Sequence, residues 1–357
     1  MDLTISNPAE CAIEYPCEAI MAALCDGRIF ANKPDPQGLG EARASIAEMH
    51  GHGLGPGDIQ LTASTSEAYS ILFKLLADPG DNIVTPTPAY PLLEWLARLE
   101  GIVCNPAPSL WHGCWSLDFE AIAGACNQKT RAIVVVNPNN PTGRYLDKSE
   151  WHALLELASS KDLPLIVDEV FSCYPLEPQN EALTTVLDGP YPPCPVFLLS
   201  GLSKVALLPQ LKLGWIVLLG EAHGAMEAMA FVADQYLSVS APTAFATGRL
   251  LAMAPDMQAR LLARMRKNLT TLDGLLKGYP HLSRLPVHGG WTVMLQRPDI
   301  EDDDACVLRL LSEHHLLTYP GHFFDVPKQG FLAASLLPEP STFSRAVRVL
   351  LDGLKLT

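Results

Sequence analysis

Short apolar runs alternate with longer segments of helical pattern along much of the chain. The apolar runs lie at residues 59–62, 83–85, 132–136, 163–167, 196–199 and 215–219. Between them, apolar residues recur with helical spacing, as in residues 65–76 and 151–160. Strands buried on both faces have such continuous apolar runs, and their alternation with helices favours a mostly parallel sheet. The pattern therefore predicts an α/β fold in which helices cover both faces of the sheet, and it places the last two runs in that sheet as well.

The pattern changes on either side of this region. Residues 1–40 are rich in proline and turn formers, which is typical of an arm that packs on another part of the protein. A long helical stretch from about residue 244 to 276 carries a predicted break at Ala254 and Pro255. After residue 285, short strands mix with helices, as expected for a small α+β domain. We therefore predict three parts: an N-terminal arm with part of the small domain (1–40), a large domain (41–245), and an inter-domain helix with the C-terminal small domain (246–357).

Composition narrows the classes of function. The 357 residues are 48% hydrophobic and 18% charged, which indicates a folded protein with more than one core. The net charge of −14 disfavours nucleic acid and anionic membranes as partners. The nine cysteines are scattered without Cys-x-x-Cys spacing, so we expect reduced thiols, no metal site and a cytoplasmic location. No signal peptide is apparent, and no apolar stretch reaches the roughly 18–20 residues of a membrane helix.

Lys204 is the first candidate for chemistry, because it lies on a loop between the last two apolar runs. Burial lowers the pKa of a lysine amine and makes it nucleophilic, as a Schiff base requires. Ser200, Ser203 and Lys212 supply hydroxyl groups and a second cation, which suit a phosphate. The alternative is an ordinary surface lysine.

Four further candidates follow predicted strands. Residues 64–66 (Ser-Thr-Ser) open a helix and would form an anion site, although Ser64 or Thr65 could simply cap that helix. Tyr90 lies between prolines and could pack locally or stack on a planar ring. The turn at 137–143 could end a strand or contact a ligand, and Asp168 could cap a helix or take part in chemistry.

The run Ser-Gly-Leu-Ser-Lys at 200–204, with a basic residue eight positions after the lysine, resembles the cofactor-lysine region of the class I/II aminotransferases, which have fold type I. The resemblance extends over nearly the whole chain, with several motifs in the family's order and spacing. It implies a three-layer α/β/α large domain with a mostly parallel sheet plus a smaller α+β domain. It also implies pyridoxal 5′-phosphate as cofactor and a homodimer whose subunits share their active sites.

The resemblance assigns a role to each candidate. The implied cofactor contacts are Ser64, Thr65, Ser66, Ser203 and Lys212 at the phosphate, Tyr90 stacked on the ring, Asn140 at the phenolic oxygen, and Asp168 at the pyridine nitrogen. Lys204 would form the Schiff base and move a proton between the substrate and the cofactor. Ser6, Asn7, Asn32 and Lys33 are implied as substrate-site residues.

Several positions depart from the family pattern. Phe171 replaces a tyrosine that donates to the phenolic oxygen, unless Tyr174 takes over that role, and Asn32 replaces a tyrosine of the partner subunit. Lys212 replaces an arginine, which keeps the charge but loses bidentate hydrogen bonding. Ala333 stands where the family has an arginine that binds the substrate carboxylate. Either Arg28, Lys33 or Arg144 substitutes for that arginine, or the substrate lacks an α-carboxylate.

These observations predict a pyridoxal-phosphate-dependent aminotransferase that works by a ping-pong cycle. Its substrates would be a small amino donor and a keto or aldehyde acceptor. The departures leave room for a lyase or decarboxylase on the same fold. A third hypothesis is a non-catalytic binding protein, against which the presence of both Lys204 and Asp168 argues.

Overall fold

The computed structural model describes residues 1–31, 34–237 and 239–355. The strands in chain order are β1 (Ile59–Thr62), β2 (Asn82–Thr87), β3 (Val103–Pro108), β4 (Leu110–Trp111), β5 (Trp115–Ser116), β6 (Thr130–Val136), β7 (Leu165–Asp168), β8 (Val196–Gly201), β9 (Gly214–Leu219), β10 (Ser283–Arg284), β11 (Thr292–Gln296), β12 (Tyr319–Pro320) and β13 (Phe331–Ser335). The α-helices are α1 (Cys17–Leu24), α2 (Gly40–His50), α3 (Thr65–Leu76), α4 (Leu92–Leu99), α5 (Phe119–Ala125), α6 (Lys148–Ser160), α7 (Leu202–Val205), α8 (Met226–Asp234), α9 (Ala241–Leu276), α10 (Asp303–His314) and α11 (Pro340–Gly353).

Seven strands form a large sheet in the order β1-β9-β8-β7-β6-β2-β3. The pairs from β8 to β3 are all parallel, which confirms the predicted mostly parallel sheet. β9 differs, because it pairs antiparallel with both β8 and β1. The segment between β8 and β9 contains only α7 and a single 3₁₀ turn. A parallel return needs a crossover that spans the sheet, usually a longer helix, so this connection brings the chain back in the opposite direction.

Helices cover both faces of the large sheet and complete the predicted three layers. Apolar side chains of α3, α4 and α8 pack on one face, and those of α2, α5, α6 and α9 pack on the other. β7 shows the alternation, since Leu165 and Val167 join one core and Ile166 the other. Burial on both faces explains why these strands appear in the sequence as continuous apolar runs.

The predicted break in the long helix was wrong, because α9 continues through Pro255. Proline removes one backbone hydrogen bond and crowds the preceding turn of a helix. In α9, Leu251, Ala254 and Met257 are buried on both sides of the proline, while Pro255 itself is exposed. Packing of the buried stripe against the core therefore holds the helix together where local sequence would end it.

The small sheet has the order β10-β11-β13-β12, with every pair antiparallel. The N-terminal arm joins it: the Leu3 amide donates to Leu317 O at 2.9 Å, and the Ser335 amide donates to Leu3 O at 2.6 Å. The arm therefore packs against the end of β13. Among the described residues, no helix combines the length and the apolar character needed to cross a membrane.

Candidate active site

The predicted site residues gather at one edge of the large sheet. β1, β2, β6, β7 and β8 run in the same direction, and carboxyl ends of parallel strands form the usual ligand edge of an open α/β sheet. The loops that follow these strands carry Ser64, Thr65, Ser66, Tyr90, Asn140, Asp168, Ser203 and Lys204. β9 runs in the opposite direction, so it begins at the edge where these strands end. Lys212 comes just before that start and therefore lies at the same edge.

Lys204 lies in the single turn of α7 with aromatic neighbours. Its Nζ is 5.0 Å from the ring centroid of Trp291 and 5.7 Å from that of Phe171. Burial lowers the pKa of Lys204, while the negative charge of Asp168 acts in the opposite direction. The Tyr174 hydroxyl donates to Lys204 O at 2.5 Å, so it is engaged with the backbone in this structure. The site thus contains a half-buried lysine whose pKa lies below its ordinary value.

Asp168 ends β7 and is only 8% exposed. Its Oδ1 accepts from the Val170 amide at 3.0 Å, and its Oδ2 accepts from the Tyr69 hydroxyl at 3.0 Å. Burial raises the pKa of Asp168 to about 6, and the two hydrogen bonds and the charge of Lys204 oppose that rise. The group is therefore a buried carboxylate at neutral pH, held in one orientation by two donors.

Tyr69 is a site residue that the sequence analysis missed. It belongs to the buried face of α3, where its neighbours Ala68, Leu72 and Phe73 are apolar. A tyrosine on such a face needs a partner for its hydroxyl, and that was the available signal. The sequence could not name the partner, because Asp168 lies 99 residues away.

Residues 64–66 include the cap of α3 and, beside it, polar groups that have no partner among the described residues. Ser64 caps α3, since its Oγ accepts from the Glu67 amide at 3.1 Å. Within the described part of the chain, the hydroxyls and peptide N–H groups of Thr65 and Ser66 have no hydrogen-bond partner. The cap therefore leaves four donors free at the positive end of the helix dipole.

The loop before β9 lies against this turn. A Cβ on Gly214 would come within 2.8 Å of the Ser64 carbonyl carbon and 2.9 Å of the Thr65 nitrogen, so only glycine permits this approach. Two residues earlier, Lys212 is exposed in the left-handed backbone region (φ +50°). It forms no ion pair with any other described residue. A free cation, two free hydroxyls and two free amides are the donor set that suits a phosphate.

Tyr90 and Asn140 connect this edge to the small sheet. The half-exposed Tyr90 ring lies 6.2 Å from the ring of Phe324 and 6.3 Å from that of Phe323, between ring centroids. Asn140 Oδ1 accepts from the Thr292 hydroxyl at 3.3 Å, at the start of β11. Ser203 is half-buried and its hydroxyl has no partner among the described residues.

The predicted substrate-site residues divide into two groups. Asn7 caps a 3₁₀ turn by accepting from the Ala9 amide at 3.1 Å, and Ser6 beside it is exposed. The Tyr319 hydroxyl donates to Thr4 O at 3.1 Å, which brings this arm to β12. Asn32 and Lys33 lie outside the described residues.

Two of the three cations suggested in place of the missing arginine are already paired. Arg144 Nη1 is 2.6 Å from Glu150, and Arg28 contacts Asp26 and Glu41 at 2.9 and 2.8 Å. Neither side chain is a free cation in the structure. A substrate carboxylate would have to compete with these carboxylates for either guanidinium group.

The buried charge of Asp168 predicts a pH-dependent stability in the cofactor-free chain. The pKa is about 6 when folded and 3.8 in its ordinary state, so the folded chain binds more protons between those values and loses stability as pH rises through them. The free energy of unfolding of Asp168→Asn minus that of the wild type should therefore rise by about 2 kcal/mol from pH 4 to pH 7. Urea unfolding of both proteins at the two pH values measures this difference. An equal difference at both would contradict the assignment.

A sequence profile described as aminotransferase class I and II matches residues 1–349. Tyrosine aminotransferase of Mus musculus is 26% identical over 285 residues, which cover 76% of this chain and 61% of that protein, less than two thirds of its length. S-alkyl-thiohydroximate lyase of Arabidopsis thaliana is 28% identical over 338 residues, covering 86% of this chain and 71% of that protein.

Among solved structures, an alanine aminotransferase from Pyrococcus furiosus superposes with a TM-score of 0.87 at 26% identity. The superposition covers 99% of this chain and 91% of that one. With the family profile over nearly the full length, these findings show that the chain belongs to the class I and II aminotransferase family.

Proposed function

We propose that this chain is a pyridoxal-phosphate-dependent aminotransferase in which Lys204 bonds the cofactor. The observation that carries the proposal is a half-buried lysine of lowered pKa, Lys204, at the same sheet edge as a buried carboxylate, Asp168. Its substrates would be a small amino donor and a keto or aldehyde acceptor. They would use one site in turn, because a single Lys204 serves both halves of a ping-pong cycle.

The free donors suit the cofactor's phosphate. Thr65 and Ser66 would bind it through hydroxyl and amide groups, with Ser203 and Lys212 adding a hydroxyl and a positive charge. Ser64 would shape the turn through its cap. The close approach of Gly214 supports this proposal, because it holds the Lys212 loop against the turn. Net charge is −14, so this local site must bind the anion against the overall field.

The remaining residues suit the cofactor's ring. When bound, the cofactor supplies an electron-withdrawing ring that stabilises negative charge at a substrate carbon. Asp168 would hold a proton on the pyridine nitrogen, with Tyr69 keeping its carboxylate in place. Asn140 would donate to the phenolic oxygen, and Tyr90 would stack on the ring.

Lys204 would also act as the proton carrier of the site. Burial favours the neutral amine, so Nζ can accept a proton from the amine-bearing carbon of the substrate. The same nitrogen can return the proton to the acceptor in the second half of the cycle. The aromatic rings of Phe171 and Trp291 limit water around Nζ.

The similarity to a lyase supports a second candidate, a lyase on the same fold. The two reactions differ in stoichiometry. With an amino donor alone, an aminotransferase forms one product per active site and stops until an acceptor arrives. A lyase continues to turn over without an acceptor, so product counted per site separates the two.

We place the chain in the cytoplasm. All nine cysteines are unpaired in the structure, and six of them are partly or fully exposed: Cys17, Cys25, Cys104, Cys114, Cys126 and Cys173. Free thiols of this number are typical of a reducing compartment.

Replacement of Lys204 tests the central assignment. Lys204→Ala should lose both the covalent attachment of the cofactor and the transfer activity, because no other amine replaces Nζ. The exposed Lys277→Ala, at the end of α9, should retain both and serves as the control. Borohydride reduction of the wild type should attach the cofactor to a peptide that contains residue 204. A borohydride-reduced cofactor adduct or transfer activity in the Lys204→Ala protein would refute the proposal.

Lys212 offers a matched pair of variants for the phosphate site. Lys212→Ala should weaken cofactor binding roughly 10- to 100-fold, as expected for the loss of a charged hydrogen bond. Lys212→Arg keeps the charge and adds a second donor direction, so it should bind the cofactor at least as tightly as the wild type. Equilibrium titration of the cofactor-free proteins measures both. Equal affinity in all three proteins would show that Lys212 does not contact the phosphate.

We also propose a homodimer. Phe30, Phe231 and Leu237 are 91%, 72% and 79% exposed, and burial of such large apolar side chains favours association of two chains. Arg28 stacks on Phe245 at 4.3 Å, which brings the segment of Phe30 close to the start of α9. Sedimentation equilibrium should give twice the chain mass of 38.7 kDa, and Leu237→Glu should shift the equilibrium to the monomer. A wild-type monomer at micromolar concentration would contradict this.

A further inference from the structure

The small sheet presents an apolar face toward the candidate site. Thr292, at the start of β11, contacts Asn140, and Met294 two residues on lies on the same face. Met294 pairs with Ala333 on β13, and Ala333 pairs with Tyr319 on β12. Two residues along a strand span about 7 Å, which is the distance from Thr292 to Met294. Ala333 lies beside Met294 on the next strand, so it is about the length of a small substrate from the site.

Aromatic side chains cover this face. Trp115, Phe324 and Phe331 are buried in one cluster with Met294 and Ala333. Tyr319 and Phe323 pack against the cluster and stack on each other, with ring centroids 4.7 Å apart and an interplanar angle of 22°. We call the five residues Trp115, Tyr319, Phe323, Phe324 and Phe331 the aromatic wall. Through Phe323 and Phe324 the wall reaches Tyr90, the residue proposed to stack on the cofactor.

Two described arginines next to the wall are paired with carboxylates. Arg144 is bound to Glu150 as described, and the buried Arg297 lies 2.6 Å from Asp303. His322, next to Phe323, is 3.4 Å from Asp304.

The wall itself offers one polar group without a partner. Trp115 Nε1 is buried and has no acceptor within the described residues. It is a neutral donor and cannot balance a full negative charge.

We propose that the amino donor is a primary amine without a carboxylate on its amine-bearing carbon, and that its apolar or aromatic group packs against the aromatic wall. The proposal rests on the aminotransferase function proposed above. A carboxylate against the wall would lose its hydration without gaining a paired cation, whereas an apolar group gains from the same burial. The wall thus acts as the specificity determinant in place of a cationic side chain at Ala333.

The transfer balances between two substrates. A donor R–CH₂–NH₂ becomes the aldehyde R–CHO, while an acceptor R′–CHO becomes R′–CH₂–NH₂. The donor carbon is oxidised by two electrons and the acceptor carbon is reduced by two. The nitrogen moves from one to the other, and the oxygen moves in the opposite direction, so no external oxidant or reductant is needed.

Matched ligands test the proposal on the wild-type holoenzyme. Phenethylamine and phenylalanine differ only in the carboxylate, and single-turnover loss of the cofactor's visible colour compares them without an acceptor. Phenethylamine should react at least about tenfold faster. A second readout measures binding without a reaction. By calorimetry, the Kd of phenylacetate should be at least about tenfold higher than that of 2-phenylethanol.

Two variants at one position sharpen the test. Ala333→Arg introduces a cation and should reverse the binding preference toward phenylacetate, while Ala333→Leu adds bulk without charge and should not. If Ala333→Arg fails to fold, the two wild-type comparisons still decide the question. Equal or faster reaction of phenylalanine, or equal or tighter binding of phenylacetate, would overturn the inference.

The same experiments separate this inference from the aminotransferase proposal. If phenylalanine bleaches the cofactor and phenethylamine does not, the aminotransferase stands and the substrate class is wrong. If reduction fails to label residue 204 and no donor changes the colour, the aminotransferase proposal itself fails. In that case, tighter binding of phenylacetate would still reject the wall as a site that excludes carboxylates.

Discussion

A parallel sheet is stable only when both faces are covered, and this constraint determines where chemistry can occur in this protein. The two helical layers remove both faces of the large sheet from water. The candidate polar side chains lie at the strand ends, and the shared direction of six strands gathers those ends at one edge. The reversed β9 adds Lys212 to that edge, because its start lies where the neighbouring strands finish.

Burial at this edge shifts the pKa values of two oppositely charged side chains. Desolvation lowers the pKa of Lys204 and raises that of Asp168, and their mutual attraction opposes both shifts. An exposed pair would keep ordinary pKa values and offer neither a neutral amine nor an oriented carboxylate. Tyr69 and the Val170 amide limit the cost of the buried carboxylate by donating to it. A partly buried charged pair of this kind lowers the stability of the chain without a ligand. A bound ligand would complete its hydrogen bonds.

The small sheet contributes a different kind of constraint. Its face toward the site consists of packed aromatic and apolar side chains, and three described basic side chains near it (Arg144, Arg297 and His322) contact Glu150, Asp303 and Asp304. Substrate specificity would then arise because the apolar face cannot solvate a substrate carboxylate. Such exclusion can discriminate between substrates as strongly as a direct contact to the preferred one. The phosphate edge and the aromatic wall lie on separate sheets, so one can bind a cofactor common to the family while the other accommodates a different substrate.

The sequence by itself determined the layered fold and the position of its candidate residues. Lys204 between two strands and Asp168 at the end of an apolar run were visible because strand burial and strand ends leave local periodic patterns. The same local signals located the residues 64–66 turn, and the structure then showed that Ser64 caps the helix while its neighbours stay free.

Tertiary structure alone decided the features that depend on residues far apart in the chain. The direction of β9, the continuity of α9 through Pro255 and the bond between Tyr69 and Asp168 all depend on such contacts. The pairing of Arg144 and the aromatic surroundings of Ala333 are of the same kind. Local periodicity reports which face of an element is buried, but the identity of the group packed against that face is set only when the chain folds.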